Sequence, residues 1–281
     1  MFVAAFILLF LLLWAVFAAV LPWLLRALHA LANRGAAMSM RYGVVQRVVK
    51  QTSRFRDYLP VAIIIVGGLA AAAWAGDQFL DLAELVHTKS TVLQGLDARV
   101  HDWAVRERYL GATTFFDTMS TVGGPAGVTV IAVVVAVALL IKRRFRWAIY
   151  LAINVGIGGL LDWELKRYFA RARPALEEML RHASGYSFPS GHAMGSTVLF
   201  ATLGYLAVRA LPRWRWKAAA LAMATTFIVA VALSRVYLGV HWISDVGAGI
   251  VGGLLWITTT TVAYETLRRI RAVRARRAAS A

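Results

Sequence analysis

The sequence predicts an all-α, polytopic transmembrane bundle, a core of six spans preceded by one extra N-terminal span. Three observations carry this expectation. Of the 281 residues 60% are hydrophobic, and the mean hydropathy is +0.64. Runs close to the roughly 20 apolar residues that a helix needs to cross a hydrocarbon core recur along the chain. Basic residues gather after every second run, as loops on one side of a membrane do. A soluble helical protein has no use for so many long apolar runs with so few charges.

Taken in order, the first run covers residues 2–25 and has no basic stretch ahead of it. It reads as a retained anchor rather than a signal peptide. The connector after it, 34–56, holds Arg34, Arg41, Arg47, Lys50, Arg54 and Arg56. It is either an amphipathic helix on the inner surface, held by anionic lipid, or a solvated connector. The second run covers 58–75, and a polar stretch follows to residue 116. The third covers 123–141 and the fourth 147–161, with a second polar stretch over 162–188. The fifth, sixth and seventh cover 193–211, 218–233 and 243–263. Trp147, Trp163, Trp214, Trp216 and Trp242 stand at run ends, where interfacial anchors belong. Gly249 and Gly253 form a GxxxG pair in the seventh run, which predicts close helix packing.

The formal net charge is +17, from 31 Lys and Arg against 14 Asp and Glu. In a membrane protein basic residues fix orientation, and here they follow runs one, three, five and seven. Of the 14 carboxylates, only Asp57 and Glu265 do not lie on the side that this rule places outside. Charge is thus divided by membrane side rather than gathered in a nucleic-acid-binding stripe, and no nucleic-acid partner is expected. The chain has no cysteine, which excludes disulfides and thiolate metal sites.

Three polar clusters fall at outer span ends. In KRYFARARP, Lys166 and Arg173 lie seven residues apart, with Arg171 between them and Pro174 after. If the segment stays helical they share one face, a point charge beside a planar fork suited to phosphate. FPSGH, 188–192, precedes the fifth run. A helix starting there offers free N–H groups to an anion, a hydroxyl on Ser190 and close backbone approach at Gly191. His192 is able to protonate a leaving oxygen. In SRVYLGVHWISD, His241 and Asp245 are four apart and share a helix face. The carboxylate can accept from one imidazole nitrogen and leave the other to attack, while Arg235 adds a phosphate contact. A carboxylate at the mouth of an apolar span calls for a partner. Read singly, each cluster is also compatible with a basic patch, a capped turn or a structural Asp–His staple. Together they compose nucleophile, orienter, general acid and cationic clamp. With six histidines and no HExxH spacing, no metal or other cofactor is expected.

These clusters resemble the three signature motifs of the type 2 phosphatidic acid phosphatase superfamily, which includes lipid phosphate phosphatases and vanadium-dependent haloperoxidases. The pattern K-x6-R-P, P-S-G-H, S-R-x5-H-x3-D is matched at every signature position, from Lys166 to Arg173-Pro174, over Pro189 to His192, and from Ser234-Arg235 to His241 and Asp245. The resemblance covers roughly 58–263. It implies that His241 is the nucleophile, that Asp245 orients it and that His192 protonates the leaving group. It implies that Lys166, Arg173, Ser190, Gly191 and Arg235 hold the phosphate. Residues 58–265 are then a membrane phosphatase core, 1–57 an anchor with its basic connector, and 266–281 a basic cytoplasmic tail.

The expected protein is a lipid phosphate phosphatase of a bacterial inner membrane with its site on the periplasmic face. Its expected partners are the bilayer and a lipid phosphate. The family's bacterial candidates are undecaprenyl diphosphate, phosphatidylglycerophosphate, phosphatidic acid and lipid A phosphate, with a polyprenyl diphosphate or a glycerophospholipid phosphate favoured. A lipid phosphotransferase shares the covalent intermediate. A haloperoxidase shares the pocket, but seven apolar runs argue against it. A non-catalytic lipid-binding or transport protein needs the cations but not the His–Asp pair beside a second His.

Overall fold

A computed structural model describes residues 2–39 and 58–279. The connector question falls largely on residues 40–57, outside the described residues. The described residues form nine α-helices and no strand. They are α1 (Phe2–Ser39), α2 (Leu59–His87), α3 (Thr91–Arg106), α4 (Leu110–Gly123) and α5 (Pro125–Ile141). After these come α6 (Phe145–Phe169), α7 (Gly191–Ala210), α8 (Trp214–Tyr237) and α9 (Ile243–Ala279). By length and composition α1, α2, α6, α7, α8 and α9 are able to cross a membrane, and the bent pair α4 with α5 is long and apolar enough to form either a seventh, broken span or a re-entrant loop. The protein is an all-helical membrane protein with several spans, as the apolar runs predict.

Two stretches differ from expectation. The polar segment after the second run is not a loop: α2 continues to His87, and α3 and α4 occupy the rest. Hydropathy alone cannot see α3, because its charges line an amphipathic helix. Ser90 caps it, accepting from the Leu93 N–H at 3.5 Å. The third run is only the inner part of its span. Gly123, Gly124 and Pro125 break it, and α4 meets α5 at 55°. Pro125 has no N–H to continue the ladder and suits the first position of the new helix.

Helix α7 lies at the centre, against α6, α8 and α9. Small residues set the spacing. A β-carbon on Gly249 would stand 2.6 Å from the Ser190 carbonyl oxygen, and one on Gly253 would stand 2.8 Å from Thr197 Cβ. The GxxxG pair thus brings α9 onto α7. The extra helix α1 packs on α8 and α4. Phe6 meets Phe227 edge-on at 5.5 Å and Phe115 at 6.0 Å, and the Trp14 indole donates to the Arg215 carbonyl at 3.1 Å. Helix α9 runs without interruption past residue 265 to Ala279, so the basic tail is a continuation of the last span.

One glycine fixes the turn that delivers the third cluster. Gly239, between α8 and His241, has φ +73. A β-carbon there would meet an Arg108 guanidinium nitrogen at 2.6 Å and the Glu178 carbonyl at 2.8 Å. Gly239→Ala is expected to cost about 1–2 kcal/mol from the left-handed backbone alone. The shift it forces on His241 is expected to lower turnover by about 10²-fold. Melting and kinetics on one purified sample check both, and wild-type kinetics would show that the turn does not position His241.

Candidate active site

The three clusters meet at one end of the bundle, where α6 and α8 end and α7 and α9 begin. A cavity of about 500 Å³ opens there. Lys166, Arg173, Gly191, His192, Arg235 and His241 all line it. Asp245 stands behind His241, wholly buried. Ser190 is also wholly buried, but it does not line the cavity, and its hydroxyl has no protein partner. Of the eight residues read from sequence, six thus share one wall, one backs that wall and one sits just beneath it.

The condition attached to Lys166 and Arg173 is not met. Helix α6 ends at Phe169, and Ala170 takes a left-handed φ of 44 with its N–H on the Lys166 carbonyl. Lys166 therefore sits on the last turn of a helix, while Arg173 reaches the cavity from the loop that follows. Lys166 lies 3.5 Å from Asp162, one turn back, and donates to the Pro189 carbonyl. A β-carbon on Gly191 would stand 2.6 Å from Asp162, so glycine is what lets α7 start against this pair.

Arg173 is the most heavily bonded cation of the cavity. It donates to the carbonyls of Ser184, Gly185, Tyr186 and Val240 at 2.7–3.2 Å. It also approaches His241 Nε2 at 3.1 Å. A guanidinium can only donate, so Nε2 is the lone-pair nitrogen and the ring proton sits on Nδ1. That nitrogen faces Asp245 at 3.5 Å and the Ser187 hydroxyl at 3.3 Å. The His241 pKa is pushed down to about 3, by burial above all, against the raising influence of Asp245. The ring is therefore neutral at physiological pH, with its lone pair towards the cavity. Burial also lowers the Arg173 pKa, and Asp245 opposes the shift.

Asp245 is fixed on every side. Arg171 donates to its Oδ1 at 2.5 Å, the Trp242 N–H to its Oδ2 at 3.0 Å, and Ser187 also donates to Oδ2. Arg171 donates its other terminal nitrogen to Asp97 on α3 at 2.6 Å, and Ser244 donates to Asp97 from its hydroxyl at 2.7 Å and its N–H at 3.1 Å. Sequence reading placed Arg171 in the first cluster without giving it a role, and did not single out Asp97, Ser187 or Ser244. Asp97 and Ser187 lie far from their partners along the chain and carry no motif. Arg235 is buried, donates to Ser120 on α4, and keeps its Nε without a protein partner. Asp162 was also missed, although its four-residue spacing from Lys166 was a usable signal.

The loop after α6 borders the cavity. Arg181 pairs with Asp117 at 2.6 Å and donates to Thr121 at 2.9 Å, which ties the loop to α4. His182, Ala183 and Ser184 line the cavity. The opposite wall is apolar, with Val128, Val155 and Val198 beside Gly158 and Gly159. Among the described residues no group of three or more His, Cys, Asp or Glu could hold a metal ion.

Three comparisons with known proteins fit this arrangement. The PAP2 superfamily model matches residues 145–269, which include all eight residues above. Phosphatidylglycerophosphatase B of Bacillus subtilis (strain 168) is 29% identical over 194 residues, 69% of this chain and 94% of that protein. Undecaprenyl-diphosphatase of Sulfolobus acidocaldarius is 32% identical over 148 residues, 50% of this chain and 66% of that one. The crystal structure of a transmembrane PAP2 type phosphatidylglycerolphosphate phosphatase from Bacillus subtilis superposes with a TM-score of 0.63 at 27% identity, covering 68% of this chain and 94% of that chain.

Proposed function

From the premise that the chain carries a PAP2 superfamily domain over residues 145–269, we propose that it is an integral membrane phosphatase that hydrolyses a lipid phosphate through a phosphohistidine. The observation that supports this best is the placement of His241, with Nε2 towards a cavity lined by Lys166, Arg173 and Arg235 and Nδ1 towards Asp245. In this reading the phosphate displaces Arg173 from Nε2 and takes donors from Lys166, Arg173, Arg235 and the Gly191 amide. The unpartnered hydroxyl of Ser190 and Nε of Arg235 are further donors for it.

Nε2 of His241 attacks phosphorus as the bond to the leaving oxygen breaks, and His192 gives that oxygen its proton. Asp245 stabilises the charge that the imidazole gains. Water then attacks the phosphohistidine, His192 takes a proton from it, and inorganic phosphate leaves with His241 restored. The apolar wall of the cavity suits a lipid chain entering from the bilayer. Basic residues at the opposite helix ends support a periplasmic site in an inner membrane. The names of the relatives support a glycerophospholipid phosphate or a polyprenyl diphosphate as substrate.

Phosphate release from a panel of lipid phosphates by detergent-purified protein tests the reading. Turnover is expected on at least one lipid, unchanged by a chelator and inhibited by vanadate, which occupies a phosphate site. Activity lost to chelator and restored by a divalent metal would contradict the metal-free mechanism. Lipid binding with no release from any lipid would favour a transferase or a binding protein.

A further inference from the structure

The end of the bundle opposite the catalytic cavity holds a second hollow, of about 470 Å³. Its charged wall is arginine alone: Arg143 and Arg144 from the turn between α5 and α6, Arg146 from the first turn of α6, and Arg268 and Arg271 from α9. No carboxylate lines it. The nearby Glu265 turns to Tyr205 on α7 and holds Arg268 at 2.6 Å. Among the described residues Arg143, Arg146 and Arg271 have no carboxylate within ion-pair distance. Like charges gathered around one hollow repel one another, and an anion bound among them relieves that repulsion.

The turn is fixed rather than loose. Arg143 has φ 54, with its N–H on the Leu140 carbonyl at 2.9 Å and that of Arg144 on Leu139 at 2.8 Å. The Arg144 guanidinium stacks over Trp147 at 4.6 Å. Arg146 and Lys166 lie 20 residues apart on α6, which is about 30 Å of helix and close to the thickness of a hydrocarbon core. The hollow therefore sits at the other interface. Its rim is apolar, with Phe145 and Leu267 each 56% exposed on helices that face lipid. A free anion gains nothing from such a rim, whereas a diacyl lipid can lay its chains over it. An excess of basic residues on one side explains the number of charges. It explains neither the concavity, nor the missing carboxylates, nor the apolar rim.

We propose that this hollow binds the phosphate headgroup of an anionic glycerophospholipid from the leaflet opposite the catalytic cavity. The guanidinium forks take the phosphate oxygens, Trp147 and Tyr264 wall the headgroup, and the acyl chains pass over Phe145 and Leu267. The site is separate from the catalytic cavity and does not depend on the phosphatase reading.

The full-length protein in phosphatidylcholine nanodiscs, with and without phosphatidylglycerol, gives the test. Native mass spectrometry reads retained lipid, and melting reads stabilisation. The wild type is expected to retain phosphatidylglycerol and to melt higher in its presence. Arg146→Gln/Arg271→Gln is expected to lower retention by about tenfold or more. Arg274→Gln/Arg276→Gln, an equal loss of charge on the tail beyond the hollow, is expected to retain it. Should the first variant not fold, Arg146→Lys/Arg271→Lys keeps the charge but loses the forks, and a several-fold loss is expected. Equal loss in the hollow and tail variants, or no preference for phosphatidylglycerol in the wild type, would overturn the proposal. Inorganic phosphate that stabilises the protein in phosphatidylcholine discs as fully as the lipid does, through the same arginines, would assign the hollow to a free anion and overturn the lipid site.

Discussion

Replacing His241 by alanine is expected to lower kcat by at least about 10³-fold, because His241 is the cavity imidazole that the buried Asp245 backs. The fold is expected to survive, since each partner of His241 keeps other bonds. Arg173 retains four backbone carbonyls, and Asp245 retains Arg171, Ser187 and the Trp242 N–H. Phosphate release and thermal melting of the same preparation separate the two effects. Substantial turnover in a well-folded His241→Ala protein would remove His241 from the mechanism.

Arg171→Met is expected to be the most destabilising single change at the site. Arg171 is the cation shared by Asp245 and Asp97, whose side chains are 0% and 2% exposed. Methionine keeps much of the volume and removes the charge, leaving two carboxylates buried without a cation. Losses of about 3–5 kcal/mol follow when one partner of such a buried pair is removed. Both a lower melting temperature and a lower kcat are expected, because Asp245 no longer holds the His241 ring from a fixed position. Asp97→Asn/Arg171→Met removes one of the stranded charges and is expected to recover part of the stability. Wild-type melting in the Arg171→Met single variant would show that the network contributes nothing to the fold.

What was legible in the sequence was set by range. Spans were readable because a bilayer demands unbroken apolar length, and the three clusters because each is a short local motif. Lys166 with Arg173, Ser190 to His192, and Arg235 with His241 and Asp245 needed only spacing to be named. The amphipathic helix α3 escaped because the spans were read by apolar length, and charges such as Asp97 and Asp102 lower its mean hydropathy while its amphipathic period stays clear. The bend at Gly123–Pro125 escaped because the third run begins there, while the first half of α4 before it fell in the polar stretch and α4 showed no long apolar run of its own. Arg171 was visible as a basic residue, but its place behind His241 rests on Asp97, which lies 74 residues away along the chain. Ser187 was passed over for a similar reason, being 54 residues from His241. Long-range partners of a motif leave no periodic or spacing signal. They emerge only when the helices are packed.

The most direct test of the central claim is to trap the covalent intermediate. Protein is mixed with a lipid substrate labelled in its terminal phosphate, quenched in base during turnover and digested. A phosphohistidine is stable in base and lost in acid. The account predicts acid-labile label on the peptide that contains His241, and none in His241→Ala protein. Steady turnover with no labelled protein, or label on a peptide without His241, would contradict it.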